Sequence, residues 1–259
     1  MIFHKMTQLF NYRSLLMNFV SKEIKLKYKD SVLGFIWSFM NPLIMLFIYT
    51  FVFKHILKFQ IENFELFLFA GLLAWNFFNI SINTSANSLI YQGNLLKKVY
   101  FPREIIPLSI VLSNLLNYFI MSVIIVVATV IVEGGLSVYI YLYPLVLVTT
   151  VLFTTGISFI VSILTVKFRD ISYLVDVILL FLFYLTPIVY SNELVPKEYA
   201  SIINGNPITE MVNLHRAVFL PTVDLHWDQL SIFTCLSIIV FLIGYTMFKK
   251  GEMGIVEKL

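Results

Sequence analysis

Long apolar runs alternate with short polar islands along this chain, and the runs have the length of membrane crossings. Six segments qualify: 32–53, 66–90, 105–132, 142–166, 171–190 and 229–248. At about 1.5 Å per helical residue, some 20 residues reach about 30 Å, the thickness of a hydrocarbon core. Lipid offers no water to a bare backbone, so such runs are expected to be helices. The first run carries no charge between Asp30 and Lys54, and Asn41-Pro42 near its middle invites a kink. The second turns polar in its latter half, with Asn76, Asn79, Asn83 and Asn87 among Ser81, Thr84, Ser85 and Ser88. These groups need partners, so that half is expected to face other helices or a wet path. In the third run, Asn114 and Asn117 stand apart from a Val/Ile-rich side, and Glu133-Gly134-Gly135 predicts a tight return turn. In the fourth, Thr149, Thr150, Thr154, Thr155, Gly156 and Ser158 form a small-residue face suited to close helix packing.

The fifth run holds Asp176, the one acid at membrane depth. A central acid costs about 2.5–3.5 kcal/mol, and each Leu, Ile, Phe or Val returns about 0.3–0.6 kcal/mol, so insertion is still favoured. Asp176 lies about 9 Å beyond Asp170 on a helix. It is placed to pair with Lys167 or Arg169, to reach interfacial water, or to relay a proton. Residues 191–228 are different: they carry Pro196, Pro207, Pro221 and several charges around one apolar stretch, Ile208 to Leu220. That stretch contains Glu210, His215 and Arg216 and is too short to span, but it can dip in and return if buried against protein.

Two polar islands have patterns of their own. In 12–29, Tyr12, Leu15, Leu16, Phe19, Val20 and Leu26 share one helical face while Lys22, Lys25 and Lys29 gather on another. This is a basic amphipathic helix, too charged to cross; it suits the headgroup plane or, alternatively, the protein's own surface. The second island, YQGNLLKKVYFPREIIP (91–107), joins the second and third runs. Leu95 to Tyr100 has the length for about one and a half helical turns. Pro102 sits where a new helix is expected to begin. A short stiff helix clamped between two spans is a lever that moves both; the plainer alternative is a basic loop that only sets topology.

Composition agrees with the pattern: 59% of residues are hydrophobic, 13% are charged, and the mean hydropathy is +0.88. Soluble domains carry nearer 25% charged residues. No hydrophilic block is long enough to bury a core of its own, so one membrane domain, 1–259, is expected. The first apolar run begins too late, and lacks the small-residue cleavage site, for a removable signal peptide. The lone Cys235 excludes a disulfide within the chain. With both ends inside, only Lys54, Lys58, Lys197 and Arg216 of the 18 Lys and Arg lie outside, a clear positive-inside bias.

Absent chemistry narrows the function. No glycine opens a G-x-x-x-x-G-K-[ST] phosphate loop, so hydrolysis of ATP by that route is excluded. His4, His55, His215 and His226 show no metal-ligand spacing, and no metal site is expected. His215 and His226 share the outer segment with Glu193, Glu198, Glu210, Asp224 and Asp228, which reads as a solvated loop or, alternatively, as an acid/base site on lipid-linked sugars. Ion-coupled carriers show several intramembrane charges and matched broken helices; here there is one off-centre acid and no detectable repeat. Aromatic rings at membrane depth serve lipid contact and interfacial belts. Any that face a pore offer flat apolar surfaces along which sugar rings slide.

The runs KYKDSVLGFIWSFMNPL (27–43), NLLKKVYFPREIIPL (94–108), KFRDISYLVD (167–176), YLTPIVY (184–190) and NPITEMVNLHRAV (206–218) occur in this order. Together they resemble the membrane subunit of bacterial ABC polysaccharide exporters, above all the O-antigen permeases of lipopolysaccharide assembly. The resemblance covers about residues 12–250 and implies an all-α polytopic membrane protein of six spans. It further implies a homodimer in the cytoplasmic (inner) membrane, with both termini cytoplasmic, working beside two copies of an ABC ATPase subunit. That partner would hold ATP and Mg; this chain would bind no cofactor and no nucleic acid. Residues 12–30, with Lys22, Lys25 and Lys29, would be an interface helix. Residues 94–100 would be the coupling helix, with Leu95, Leu96, Lys97, Lys98, Tyr100, Arg103 and Glu104 engaging the ATPase. Residues 196–220 would be re-entrant gate helices bearing Pro207, His215 and Arg216. A channel between protomers would be lined by the first and fifth spans, with Phe35, Trp37, Phe39, Tyr49, Phe181, Tyr184 and Tyr190 as lining candidates. The cargo implied is a lipid-linked O-antigen, with capsular polysaccharide or teichoic acid as alternatives; an exporter of drug type or a passive channel of the same fold is the remaining reading.

Overall fold

The computed structural model describes residues 12–29 and 36–254, with Tyr28, Ser38, Phe39 and Met253 described by backbone alone. Phe35 and the first four residues of the 32–53 run lie outside the described residues, as does the side chain of Phe39. Among the described residues the regular structure is entirely helical. The α-helices are α1 (Arg13–Tyr28), α2 (Trp37–Thr50), α3 (Phe64–Ala86), α4 (Ser88–Tyr91), α5 (Gly93–Lys98) and α6 (Ile105–Glu133). They are followed by α7 (Tyr143–Lys167), α8 (Ile171–Leu185), α9 (Lys197–Asn204), α10 (Pro207–Phe219) and α11 (Trp227–Gly251).

Among the described residues four helices are long and apolar enough to cross a membrane: α3, α6, α7 with its 3-10 lead-in Val138–Leu142, and α11. The first and fifth expected spans correspond to shorter apolar helices. α2 continues past Lys54 as a π-helical turn, Phe51–Ile56, where the sequence predicts an end at Phe53. Lys54 is accommodated there by an ion pair with Glu65 at 2.5 Å. α8 stops at Leu185, short of the expected Tyr190. The cause is Pro187, which drives the preceding Thr186 to φ −91°, ψ 134° and out of the helical region. α3 ends at Ala86; Asn87 sets off the remainder of the 66–90 run as the short α4, and Gln92 separates α4 from α5 beyond the run. α6 begins at Ile105 rather than at Pro102, which instead opens a turn that Ile105 N–H closes onto the Pro102 carbonyl at 3.2 Å. It ends at Gly134, whose φ of +75° closes the return turn that the Glu133-Gly134-Gly135 sequence predicts.

α3 is the most deeply buried of the four long helices, and α6, α7, α8, α10 and α2 pack around it. The tightest packing joins α7 and α11. The small-residue face of α7 lies in the interior: Thr149, Thr150, Thr154, Thr155, Gly156 and Ser158 are all buried. A Cβ on Gly156 would sit 2.6 Å from the Val240 carbonyl oxygen, and one on Gly244 would strike the Gly156 backbone, so the two helices touch main chain to main chain. α1 lies along α6. It buries Phe19 and Val20 and exposes Lys22, Lys25 and Lys29, as the amphipathic pattern predicts, although Leu26 from the same expected face is exposed.

Alternating turns sort the polar contacts to two ends of the bundle. At one end Lys22 donates to Gln92 Oε1 at 2.8 Å, Lys249 pairs with Glu104 at 2.7 Å, and Arg103 donates to the Glu252 carbonyl. At the other, Asn63 donates to Glu133 Oε1 at 2.7 Å, Ser137 donates to the Ala217 carbonyl at 2.6 Å, and Lys54 pairs with Glu65.

Candidate functional site

Three pieces of local chemistry stand out: a groove in the wall of the bundle, a sealed break beyond it, and an exposed basic helix at one end. The groove runs between α2, α3 and α8 and encloses about 290 Å³. Met45 and Tyr49 form one wall, Leu72, Trp75, Asn76, Asn79 and Asn83 the floor, and Asp176, Leu179, Leu180, Phe183 and Tyr184 the other wall. The floor residues recur at three- and four-residue spacing, which brings them to one face of α3. Asn83 Nδ2 donates to Asp176 Oδ1, so the acid at membrane depth is held by an amide across the groove. Its partner is not Lys167 or Arg169, the cations that adjoin it in sequence. Next to these polar groups lies an aromatic cluster: Tyr49 stacks on Phe183 with centroids 5.8 Å apart at 29°, and Trp75 meets Phe183 at 5.6 Å. Of the polar half of the second run, Asn76, Asn79 and Asn83 open onto the groove, whereas Ser81, Ser85 and Ser88 are buried against neighbouring helices.

Beyond the groove the chain after α8 is non-helical yet buried, with Thr186, Pro187, Ile188 and Val189 all inside the protein. Such backbone persists at depth only when protein satisfies its polar groups. Here α10 supplies them. Asn206 Nδ2 donates to Thr186 Oγ1 at 3.0 Å while its Oδ1 caps α10 through Ile208 N–H, also at 3.0 Å. Arg216 Nη2 donates to the Ile188 carbonyl at 2.8 Å, its Nε donates to the Phe67 carbonyl at 3.2 Å, and its guanidinium lies 3.5 Å from the Phe67 ring centroid. One fully buried cation thus ties α3, α10 and the break after α8 together, and among the described residues no carboxylate pairs with it. His215, equally buried, bonds the Met211 carbonyl through Nδ1 at 2.7 Å and meets Tyr118 edge-on. Outside this seal lies an open basin of about 900 Å³ that Glu193, Asp224 and His226 help to line.

At the opposite end α5 carries Lys97 and Lys98 outward. Val99 is extended, and Tyr100 is 91% exposed, the most open large hydrophobic side chain among the described residues. Leu96 points the other way and is buried with Phe19, Leu89 and Phe101. Glu104 is only 2% exposed and is held by Lys249.

Residues 14–220 match the ABC-2 type transporter family, most of the chain's length. The chain belongs to that family. It is a membrane subunit of a transporter and not an enzyme. This ABC-2 permease is 36% identical over 248 residues to an O-antigen export system permease protein RfbA of Klebsiella pneumoniae, covering 95% of each chain. It is 31% identical over 214 residues, 82% of each chain, to the protein of the same name from Myxococcus xanthus. A more distant relative, the polysialic acid transport protein KpsM of Escherichia coli, is 21% identical over 238 residues, covering 89% of this chain and 91% of that one.

The permease fold distributes the sequence-derived candidates unevenly. Of the aromatic candidates, Tyr49 and Tyr184 line the groove. Trp37 lines a separate cavity beside α6. Phe181 is exposed on the outer side of α8, and Tyr190 folds back to bond the Tyr184 carbonyl at 3.1 Å. Of the coupling candidates, Lys97, Lys98 and Tyr100 are exposed and Leu95 and Arg103 half-buried, while Leu96 and Glu104 face inward. Pro207 occupies the first turn of α10, and His215 and Arg216 are packed inside rather than presented to solvent. Trp75 and Phe183 complete the groove but were not among the candidates; the signal for Trp75 is its helical register with Leu72, Asn79 and Asn83.

Proposed function

We propose that this permease is the membrane half of an ATP-driven exporter of a lipid-linked polysaccharide of the O-antigen class. The observation that carries this reading is the groove. Aromatic faces beside amides suit sugars, because ring C–H faces stack on the aromatics while hydroxyls bond the amides. No contact of that kind is strong alone, so a polymer is free to advance one ring at a time. The O-antigen export permeases at 36% and 31% identity support the cargo class. Capsular polysaccharide is the second reading, and the more distant polysialic acid transport protein is what favours it.

In this reading two copies assemble so that the exposed faces of α2 and α8, each rich in large apolar residues, meet or face the passage between protomers. A separate ABC ATPase, two copies per assembly, supplies ATP and Mg. It docks under α5 through Lys97, Lys98 and Tyr100, with α1 as an interface helix at the same end. That end and both termini are cytoplasmic, in accord with its basic side chains. α9 and α10 form the gate on the far side, in which Arg216 is a positioning residue that holds the closed arrangement.

The test is reconstitution of the permease with its ATPase and a lipid-linked glycan. Replacing Lys97 and Lys98 by Glu should leave the protein folded while glycan transfer falls and ATP hydrolysis no longer responds to glycan. Replacing Tyr184 and Trp75 by Ala should slow transfer and leave ATPase docking intact. Undiminished export in both variants would overturn the proposal.

A further inference from the structure

A second cavity, which shares only Asn76 with the groove, contains a cation without a counter-charge among the described residues. It lies between α1, α2, α3 and α6 and encloses about 260 Å³. Its polar lining includes Lys27, Asn41, Asn76 and Asn114; Trp37, Phe69, Phe77 and Tyr118 supply aromatic walls, and among the described residues no acid lines it. Lys27 is the key group. Its stem is exposed along α1, but its ammonium turns inward and donates to Asn114 Oδ1. Asn114 in turn donates to Ser81 Oγ at 3.0 Å, which fixes its oxygen toward the lysine. Among the described residues Lys27 makes no ion pair; Glu23, one turn back, acts on it only at a distance. Removal from water lowers its pKa below the ordinary lysine value, and the distant Glu23 offsets this only in part. Two of the three ammonium N–H donors remain available, as do the side-chain amides of Asn41 and Asn76.

We propose that this cavity binds the phosphate of an anionic membrane lipid, with Lys27 as the charge partner, the Asn41 and Asn76 amides as further donors, and the aromatic walls flanking the glycerol and upper acyl segments. The chemistry calls for an anion with several acceptor oxygens and an apolar tail, since the donors converge beside rings and no carboxylate competes. The bound lipid clamps the C-terminal end of α1 against α2 and α6. The proposal rests on the membrane-subunit assignment but not on the identity of the exported polymer.

The experiment is native mass spectrometry of the full-length permease, purified in detergent and titrated with phosphatidylglycerol or with phosphatidylcholine. Phosphatidylglycerol should be retained preferentially, Lys27→Met should weaken retention about tenfold, and Lys27→Arg should restore most of it. Lys25→Met, on the same helix but outside the cavity, should leave phosphatidylglycerol retention unchanged. An added polyprenyl phosphate that displaces phosphatidylglycerol stoichiometrically would assign the site to the carrier lipid's phosphate; failure to displace it would assign the site to bulk phospholipid. Equal retention by Lys27→Met, or equal retention of phosphatidylcholine, would overturn the proposal. Elution volume of each variant shows that it is folded, and glycan export measured alongside tells failure of this site from failure of the functional reading.

Discussion

The two ends of the bundle hold their central cations in different ways. At the end bearing α5, Lys249 pairs with the long carboxylate side chains of Glu104 and Glu252 at 2.7 and 2.9 Å. At the other end a fully buried guanidinium bonds backbone carbonyls of two separate segments and stacks on Phe67. Long side chains can follow a displaced partner through rotamer changes. A planar fork fixed on main-chain oxygens cannot, and any movement leaves the Ile188 carbonyl unbonded. The first end is built to shift without falling apart, the second to hold one arrangement until it is released as a unit.

The sharpest way to break this contrast is at Arg216. Arg216→Ala strands the Ile188 carbonyl, at about 1–3 kcal/mol, and also removes the second bond to the helical Phe67 carbonyl and the stack on its ring, so a loss of about 2–5 kcal/mol is expected in thermal or denaturant unfolding in detergent. Arg216→Lys should recover little, because a point charge cannot serve both carbonyls and the ring. Gly71→Ala tests whether the guanidinium is truly pinned. The new Cβ would lie 2.9 Å from Arg216 Nη2. A free arginine end would swing aside at almost no cost, whereas a held one should give a loss of about 1–3 kcal/mol, with a lower midpoint of thermal unfolding. At the other end Glu104→Gln removes one carboxylate but leaves Lys249 its bond to Glu252, and a loss of about 1–2 kcal/mol should appear in the same assay. The smallest effect should be that of Lys97→Glu with Lys98→Glu: these exposed side chains should change unfolding by no more than about 0.5 kcal/mol while export is affected strongly. If the Lys97 and Lys98 changes destabilise the protein as much as Arg216→Ala, the contrast between the ends is wrong.

Much of the helical layout was legible from hydrophobic run length alone, because lipid leaves the backbone no other choice. The boundaries were less legible where single residues decide them. The end of α8 follows from Pro187, which an apolar run through Tyr190 hides. The extension of α2 past Lys54 depends on Glu65, a partner across a turn that no local pattern reveals. The small-residue face of α7 was readable because closeness demands smallness at a fixed spacing. Glu104 reads as a surface acid in a basic loop; its burial depends on Lys249, which is adjacent only after folding. The groove was half legible. Three asparagines in helical register announce a polar face, but the aromatic wall opposite them is made by helices far away in sequence. Arg216 carried a signal that can be read in retrospect: a lone cation in an apolar thirteen-residue helix demands oxygens from elsewhere.

The main-chain contact between Gly156 and the helix bearing Gly244 constrains how the molecule can deform. With no side chains between them, α7 and α11 have neither slack to slide nor room to tilt, so they travel as a single beam. On the proposed reading, the widening that lets cargo through would come from α2 and α8, whose outer flanks are exposed among the described residues. The permease is in this sense a fixed post with two swinging leaves.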